Sequence, residues 1–295
     1  MNLVDGALNI FSLSLIFALI SFSVYLTTSI MKVTDITCDS CVTLGGCTYG
    51  ALVLAGINPI TAFICATICG IIAGFIVSSI TNHIRAEIVL SSVITISILQ
   101  TFIIKLNSFG DAIRSTLHKS GIGCLSNITP ATNAVIITIF VLIFAFMFFK
   151  FLNSEYGLAM RVYGDGIIVS ESLGIDTKQV LCIGLGLASG IAAGSGALLT
   201  QVLGDFSSTM GTGSLVFGIA SVIIGEKLLE VNSIKAAIIS CFIGSIVYKI
   251  AIEIFTSLGS NTVGSEYNSI IIAIVLIFLM VGINDQRKQG SLENF

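Results

Sequence analysis

A polytopic bundle of membrane-spanning α-helices is the fold class this sequence predicts, and three observations predict it. Of 295 residues, 55% are hydrophobic and only 10% are charged, with a mean hydropathy of +1.05. A soluble domain carries about 25% charged residues because water must solvate its surface. This chain has too few, so lipid is its main solvent. Secondly, the charges are confined to short segments. No formal charge occurs in 6–31, 40–84, 88–104, 120–149, 179–204, 206–225 or 267–284. Thirdly, runs such as AVIITIFVLIFAFMFF (134–149) lack the period-two alternation of a lipid-facing barrel.

The elements follow from those gaps. A helix needs roughly 20 apolar residues to cross the hydrocarbon core. The longest gap, 40–84, therefore holds two helices, divided at Gly56-Ile57-Asn58-Pro59, where turn residues and proline favour a break. The expected helices number about nine: 7–30, 38–56, 60–80, 86–104, 133–152, 180–203, 213–229, 234–256 and 268–285. The first lacks a positive n-region and is too long for a signal-peptide core, so it reads as a retained span. The whole chain, 1–295, reads as a single transmembrane domain.

Nine crossings sort the basic residues. One side collects Lys32, Arg85, Lys150, Arg161, Lys178, Lys227, Lys235, Arg287 and Lys288; the other collects Lys105, Arg114, Lys119 and Lys249. The positive-inside bias places the first set in the cytoplasm, the N-terminus outside and the C-terminus inside. Outside, Leu106, Phe109, Ile113 and Leu117 recur at helical spacing, predicting a short amphipathic helix on the membrane surface. It reads either as a cap over the bundle or as part of a docking surface for an external solute-binding protein.

The stretch VTDITCDSCVTLGG (33–46) interrupts the apolar pattern. Its CxxC pair, Cys38 and Cys41, admits a redox or metal reading. A metal site needs about four convergent ligands, and only two thiols and two carboxylates are near in sequence. A redox CxxC commonly belongs to a thioredoxin-like soluble domain, which this chain lacks. The preferred reading is a hinge at the broken start of the second span, near the inner mouth of the bundle. There Asp35 and Asp39, with Thr34, Thr37 and Ser40, cap exposed N–H groups, while Gly45 and Gly46 allow close helix approach.

The inside connection, about 153–179, contains EYGLAMRVYGDGIIVSESLGIDTKQV (155–180). Residues 167–173 predict a short amphipathic helix, Gly174 suits the left-handed position that ends it, and Asp176 with Gln179 has capping-box spacing. A helix–glycine–helix anchored at both ends is suited to docking a soluble partner; an ordinary connecting loop is the alternative. The following helix carries Gly186, Gly190 and Gly194 at every fourth position, with a second row of Gly184, Ala188, Ala192 and Gly196. Small residues on two faces let backbones approach closely, which predicts a central helix. Its GLGLASG segment is not a dinucleotide fingerprint, because the third glycine is one residue late and no strand-to-helix turn surrounds it. Gly218 to Lys227 lacks Walker A spacing. Intramembrane charges prompt functional hypotheses, but Lys249 and Glu253, four residues apart, read as a structural ion pair.

GLAMR (157–161), ESLGI (171–175), the capped start after it, LASGIAAGSGALL (187–199) and MGTGSLVFGIASVIIG (210–225) together resemble the ABC importer permeases of the branched-chain amino-acid type. The likeness spans about 70 residues in the expected order. It departs where proline is missing before Met210 and at Tyr163, Gly164 and Asp165. Asp35, Thr37 and Asp39 match a D-x-T-x-D segment of one subgroup, and Ser40 and Cys41 replace its Gly-Ser. The resemblance implies a cytoplasmic coupling helix at about 164–175, with Arg161, Gly164, Asp165, Glu171, Leu173, Gly174 and Ile175 as ATPase-coupling positions. It also implies a bacterial cytoplasmic membrane and an amino acid or similar small polar solute. Expected partners are cytoplasmic ABC ATPase subunits, an extracytoplasmic solute-binding protein, a second permease subunit and the lipid bilayer; nucleic acid is not among them. No cofactor is expected on this chain, ATP and magnesium belonging to the ATPase, and no catalytic or metal residues are assigned. An ion-coupled secondary transporter or channel is the alternative; an intramembrane thiol oxidoreductase would rest on Cys38 and Cys41 alone.

Overall fold

The computed structural model describes residues 3–84, 87–117, 130–229 and 233–260. These residues are helical throughout apart from short connections, with no strand among them. Lipid offers backbone N–H and C=O groups no partners, so each segment satisfies them internally. In order, the elements are α1 (Leu3–Tyr25), α2 (Cys38–Leu54), α3 (Pro59–Ile84), α4 (Ile88–Leu117) and α5 (Pro130–Leu152). Then come α6 (Glu155–Asp165), α7 (Ile167–Ser172), α8 (Thr177–Leu203), α9 (Ser214–Leu228) and α10 (Ile234–Ser260).

Among the described residues, six helices are long and apolar enough to cross a membrane: α1 with its π-helical extension, α3, α4, α5, α8 and α10. The other two expected there, α2 and α9, are also apolar helices but have only 17 and 15 residues. At 1.5 Å per residue they reach about 25 Å at most, short of a core of about 30 Å. The ninth expected span, 268–285, lies outside the described residues.

The end of α4 differs from the sequence reading. The amphipathic segment expected as a separate surface helix is the last third of α4, which continues without a break past Lys105 to Leu117. Leu106 and Ile113 pack against the core instead of lying along an interface, and Gly110 meets the ring of Phe206. A change in polarity ended the apolar run there, but the helical hydrogen-bond ladder did not end with it.

The centre of the bundle is α8. Its two rows of small residues face different neighbours: Gly190 and Gly194 meet Ile71 and Thr67 of α3, whereas Gly184 meets Met31 and Gly196 the Val42 carbonyl of α2. Reciprocally, Gly45 lies against the Ala193 backbone and Gly74 against that of Leu185. A methyl group at Gly45, Gly74 or Gly196 would run into backbone and push the helices apart. The Ser23 hydroxyl of α1 donates to the Ala188 carbonyl at 2.7 Å, an interhelical bond worth on average about 0.6 kcal/mol in a membrane. Close backbone packing therefore carries more of the association than such bonds do.

Candidate functional site

Two helix starts meet inside the bundle. Asp39, in the first turn of α2, accepts from the backbone N–H groups of Gly213 (3.0 Å) and Leu215 (2.6 Å), so its carboxylate caps α9. Thr43, one turn further along α2, accepts from the Gly211 N–H at 3.0 Å. From this point the helices run to opposite ends of the bundle. Cys47 and Gly50 of α2 climb past Ser207 and Phe206, whereas α9 descends past Val24 at Gly218 to Glu226, which accepts from the Ser29 hydroxyl at 3.0 Å. The first turns of α2 contact Ala193 and Gly196, in the second half of α8. The junction thus packs beside the second half of α8.

Both short helices follow irregular backbone, 31–37 before α2 and 204–213 before α9. Such backbone persists at membrane depth only where protein buries it or a cavity hydrates it. Asp35 does this for the first stretch. It is 5% exposed and accepts from the Thr37 N–H (2.9 Å), the Thr37 hydroxyl (2.7 Å) and the Ser92 hydroxyl of α4 (2.9 Å). The two helix N-termini, each carrying partial positive charge, favour a carboxylate at Asp39.

All the hinge residues expected from sequence line this region, but their partners differ from the expectation. Asp39 caps α9 and not its own helix; Thr37, the residue preceding α2, makes no side-chain cap, its hydroxyl being used by Asp35. Ser40 is buried beside them. Cys38 and Cys41 are buried free thiols packed in the core. Among the described residues no three His, Cys, Asp or Glu side chains gather as a metal-binding group. Sequence reasoning missed Ser92 and Thr43. The signal was available: hydroxyls inside a charge-free span need buried partners.

The connection α6–α7 sits at one end of the bundle. Gly164 packs against the Ile30 carbonyl, and Asp165 pairs with Lys32 at 3.0 Å. Arg161 donates to the Leu152 carbonyl, and Tyr163 is buried, which raises its phenol above the ordinary range. The end of α1 on which this element rests is irregular: Leu26–Ile30 is a π-helical turn, and Lys32 has φ +53°, left-handed and uncommon outside glycine. α7 ends as its glycine implied, with Gly174 at φ +76° and the Ile175 N–H returned to the Ser170 carbonyl at 3.0 Å. Asp176 then caps α8 through the N–H groups of Lys178 and Gln179. Ile175 packs on the core, but Ile168 is 84% and Leu173 65% exposed, and Glu171 is exposed beside them. Lys249 and Glu253 pair at 3.8 Å on α10.

A multi-pass helical bundle with broken helices meeting in its interior is an integral membrane protein built like a solute permease. Comparison with known proteins places it further. The chain belongs to the family described as branched-chain amino acid transport system, permease component, whose model matches residues 6–280. It is accordingly a transport-system permease of the ABC importer superfamily, and its membership agrees with the resemblance read from its motifs. It is 28% identical over 280 residues to a tyrosine transport system permease protein of Clostridioides difficile (strain R20291), covering 94% of this chain and 92% of the relative. It is 26% identical over 271 residues to the uncharacterized protein RP368 of Rickettsia prowazekii (strain Madrid E), covering 89% and 92%. No solved structure matches it.

Proposed function

We propose that this chain is the membrane subunit of an ATP-driven importer for an amino acid, and that tyrosine is the first solute to test. The family match over residues 6–280 carries this reading; the choice of solute rests on the tyrosine permease relative. The chain crosses the cytoplasmic membrane of a bacterium nine times, α2 and α9 each completing a crossing with their irregular stretches. Its N-terminus is outside. A second permease subunit, two cytoplasmic ATPases that hold ATP and magnesium, and an external binding protein complete the assembly.

In this reading the exposed face of α7, Ile168 with Glu171 and Leu173, meets the ATPase. Closure of the ATPase dimer pushes α6–α7, which bears on Ile30 and Lys32 through Gly164 and Asp165. From Lys32 the displacement reaches Asp35 and Asp39 within seven residues of chain, and hence the starts of α2 and α9. The surface pair Lys32–Asp165 contributes little stability, about 0–1 kcal/mol; the close seat of Gly164 on the Ile30 carbonyl transmits the movement. Reconstitution in proteoliposomes with the cognate ATPase and binding protein tests the function. Labelled tyrosine should accumulate only with ATP and only with all components present. Uptake by this chain alone, driven by a proton or sodium gradient, would overturn the proposal.

A further inference from the structure

An apolar cleft of about 280 Å³ opens on the flank of the bundle between α3 and α5, with α8 and α1 behind it. Gly190 forms part of its floor, Leu19 lies beside it, and Met147 stands on the outer rim. Thr67 has the one side-chain hydroxyl in the lining, and it is committed to the carbonyls of Phe63 (2.7 Å) and Ile64 (3.0 Å). No side-chain polar group there is free to receive an amino acid. The rings of Phe63 and Phe140, edge to face at 5.4 Å, bridge the two helices across the cleft. A helix about 10 Å wide cannot lie through that bridge; a single hydrocarbon chain fits beneath it.

Towards the end of the bundle that carries α6 and α7, the same α3–α8 groove turns polar. Beyond Phe75, which covers Gly186, a second cavity is lined by Ser78, Asn82, His83 and Lys178. Lys178 and His83 are exposed, and Lys150 stands exposed at the same end of α5. Lys178 precedes Gly190 by twelve residues, about 18 Å of helix, close to one leaflet of a core about 30 Å thick. The apolar cleft therefore lies at acyl-chain depth and the cations at headgroup depth.

We propose that this groove binds one anionic phospholipid, its acyl chain against Gly190 and its phosphate on Lys178, with His83 as a further donor. The charge at the polar end selects for an anionic headgroup, and the narrow apolar end accepts a chain. The site is separate from the Asp39 junction and does not depend on which solute is carried. Native mass spectrometry of the full chain in mild detergent, with phosphatidylglycerol and phosphatidylcholine supplied together, tests it. The unaltered chain should retain phosphatidylglycerol preferentially. Lys178→Gln, an exposed change, should lower that preference about fivefold, the factor that one cation near a headgroup supplies. Met147→Trp should fill the cleft and abolish retention of both lipids. Equal retention in the unaltered chain and both variants would overturn the proposal, as would a Met147→Cys chain that crosslinks efficiently to a second copy, which would make the cleft an interface between subunits.

Discussion

Asp39 joins two helices that the chain separates by more than 170 residues, since its oxygens hold the N–H groups of Gly213 and Leu215. The bond from Leu215 is part-buried and that from Gly213 exposed, so losing the carboxylate costs towards the lower end of the about 1–3 kcal/mol of an unsatisfied buried group. Asp39→Ala is therefore expected to lower the thermal unfolding midpoint in detergent and to cut uptake. Asp39→Asn, which keeps one acceptor oxygen, is expected to lose less on both counts. An unchanged midpoint for the alanine variant would show that α9 is capped otherwise. Gly196 gives a second residue-scale prediction. A Cβ there would collide with the Val42 carbonyl, so Gly196→Ala should destabilise by about 1–3 kcal/mol through overpacking, read as a lower midpoint. The same change at Gly213, where a Cβ meets nothing but φ is +86°, acts through backbone strain and not through helix separation.

At the scale of elements, the arrangement splits into what local sequence can express and what it cannot. α8 was legible because the two small rows repeat at helical spacing, and the turn at Gly174 because glycine is the residue that takes φ +76° without strain. The break before α2 was legible from Thr34, Asp35, Thr37 and Asp39. Its consequences were not. Which helix Asp39 caps depends on a partner far along the chain, and no local pattern carries that information. The length of α4 was hidden for another reason: Lys105 and Asp111 end the charge-free run although the helix continues beneath them. The connection α6–α7 yields the element-scale prediction. Proline fixes φ near −65°, incompatible with the conformation at Gly174, so Gly174→Pro should uncouple ATP hydrolysis from uptake while membrane insertion persists. ATPase activity and tracer uptake measured on one preparation separate these effects; unchanged uptake would show that α7 is a passive connection.

For the whole molecule, the family match and the broken-helix core agree on a permease. Charged residues cluster at the ends of spans, and the interior carboxylates Asp35 and Asp39 are occupied with backbone and hydroxyl donors. Such groups tie the helices of the bundle together. In the proposed function, the energy for transport enters from a partner ATPase, at the exposed surface of α7. The most direct measurement of that claim is purification of the tagged chain from its native membrane in mild detergent, followed by identification of what accompanies it. An ABC ATPase should be recovered in amounts comparable to the permease, and lost when Ile168 and Leu173 are replaced together by aspartate. A pure chain without an ATPase, still able to accumulate solute, would contradict it.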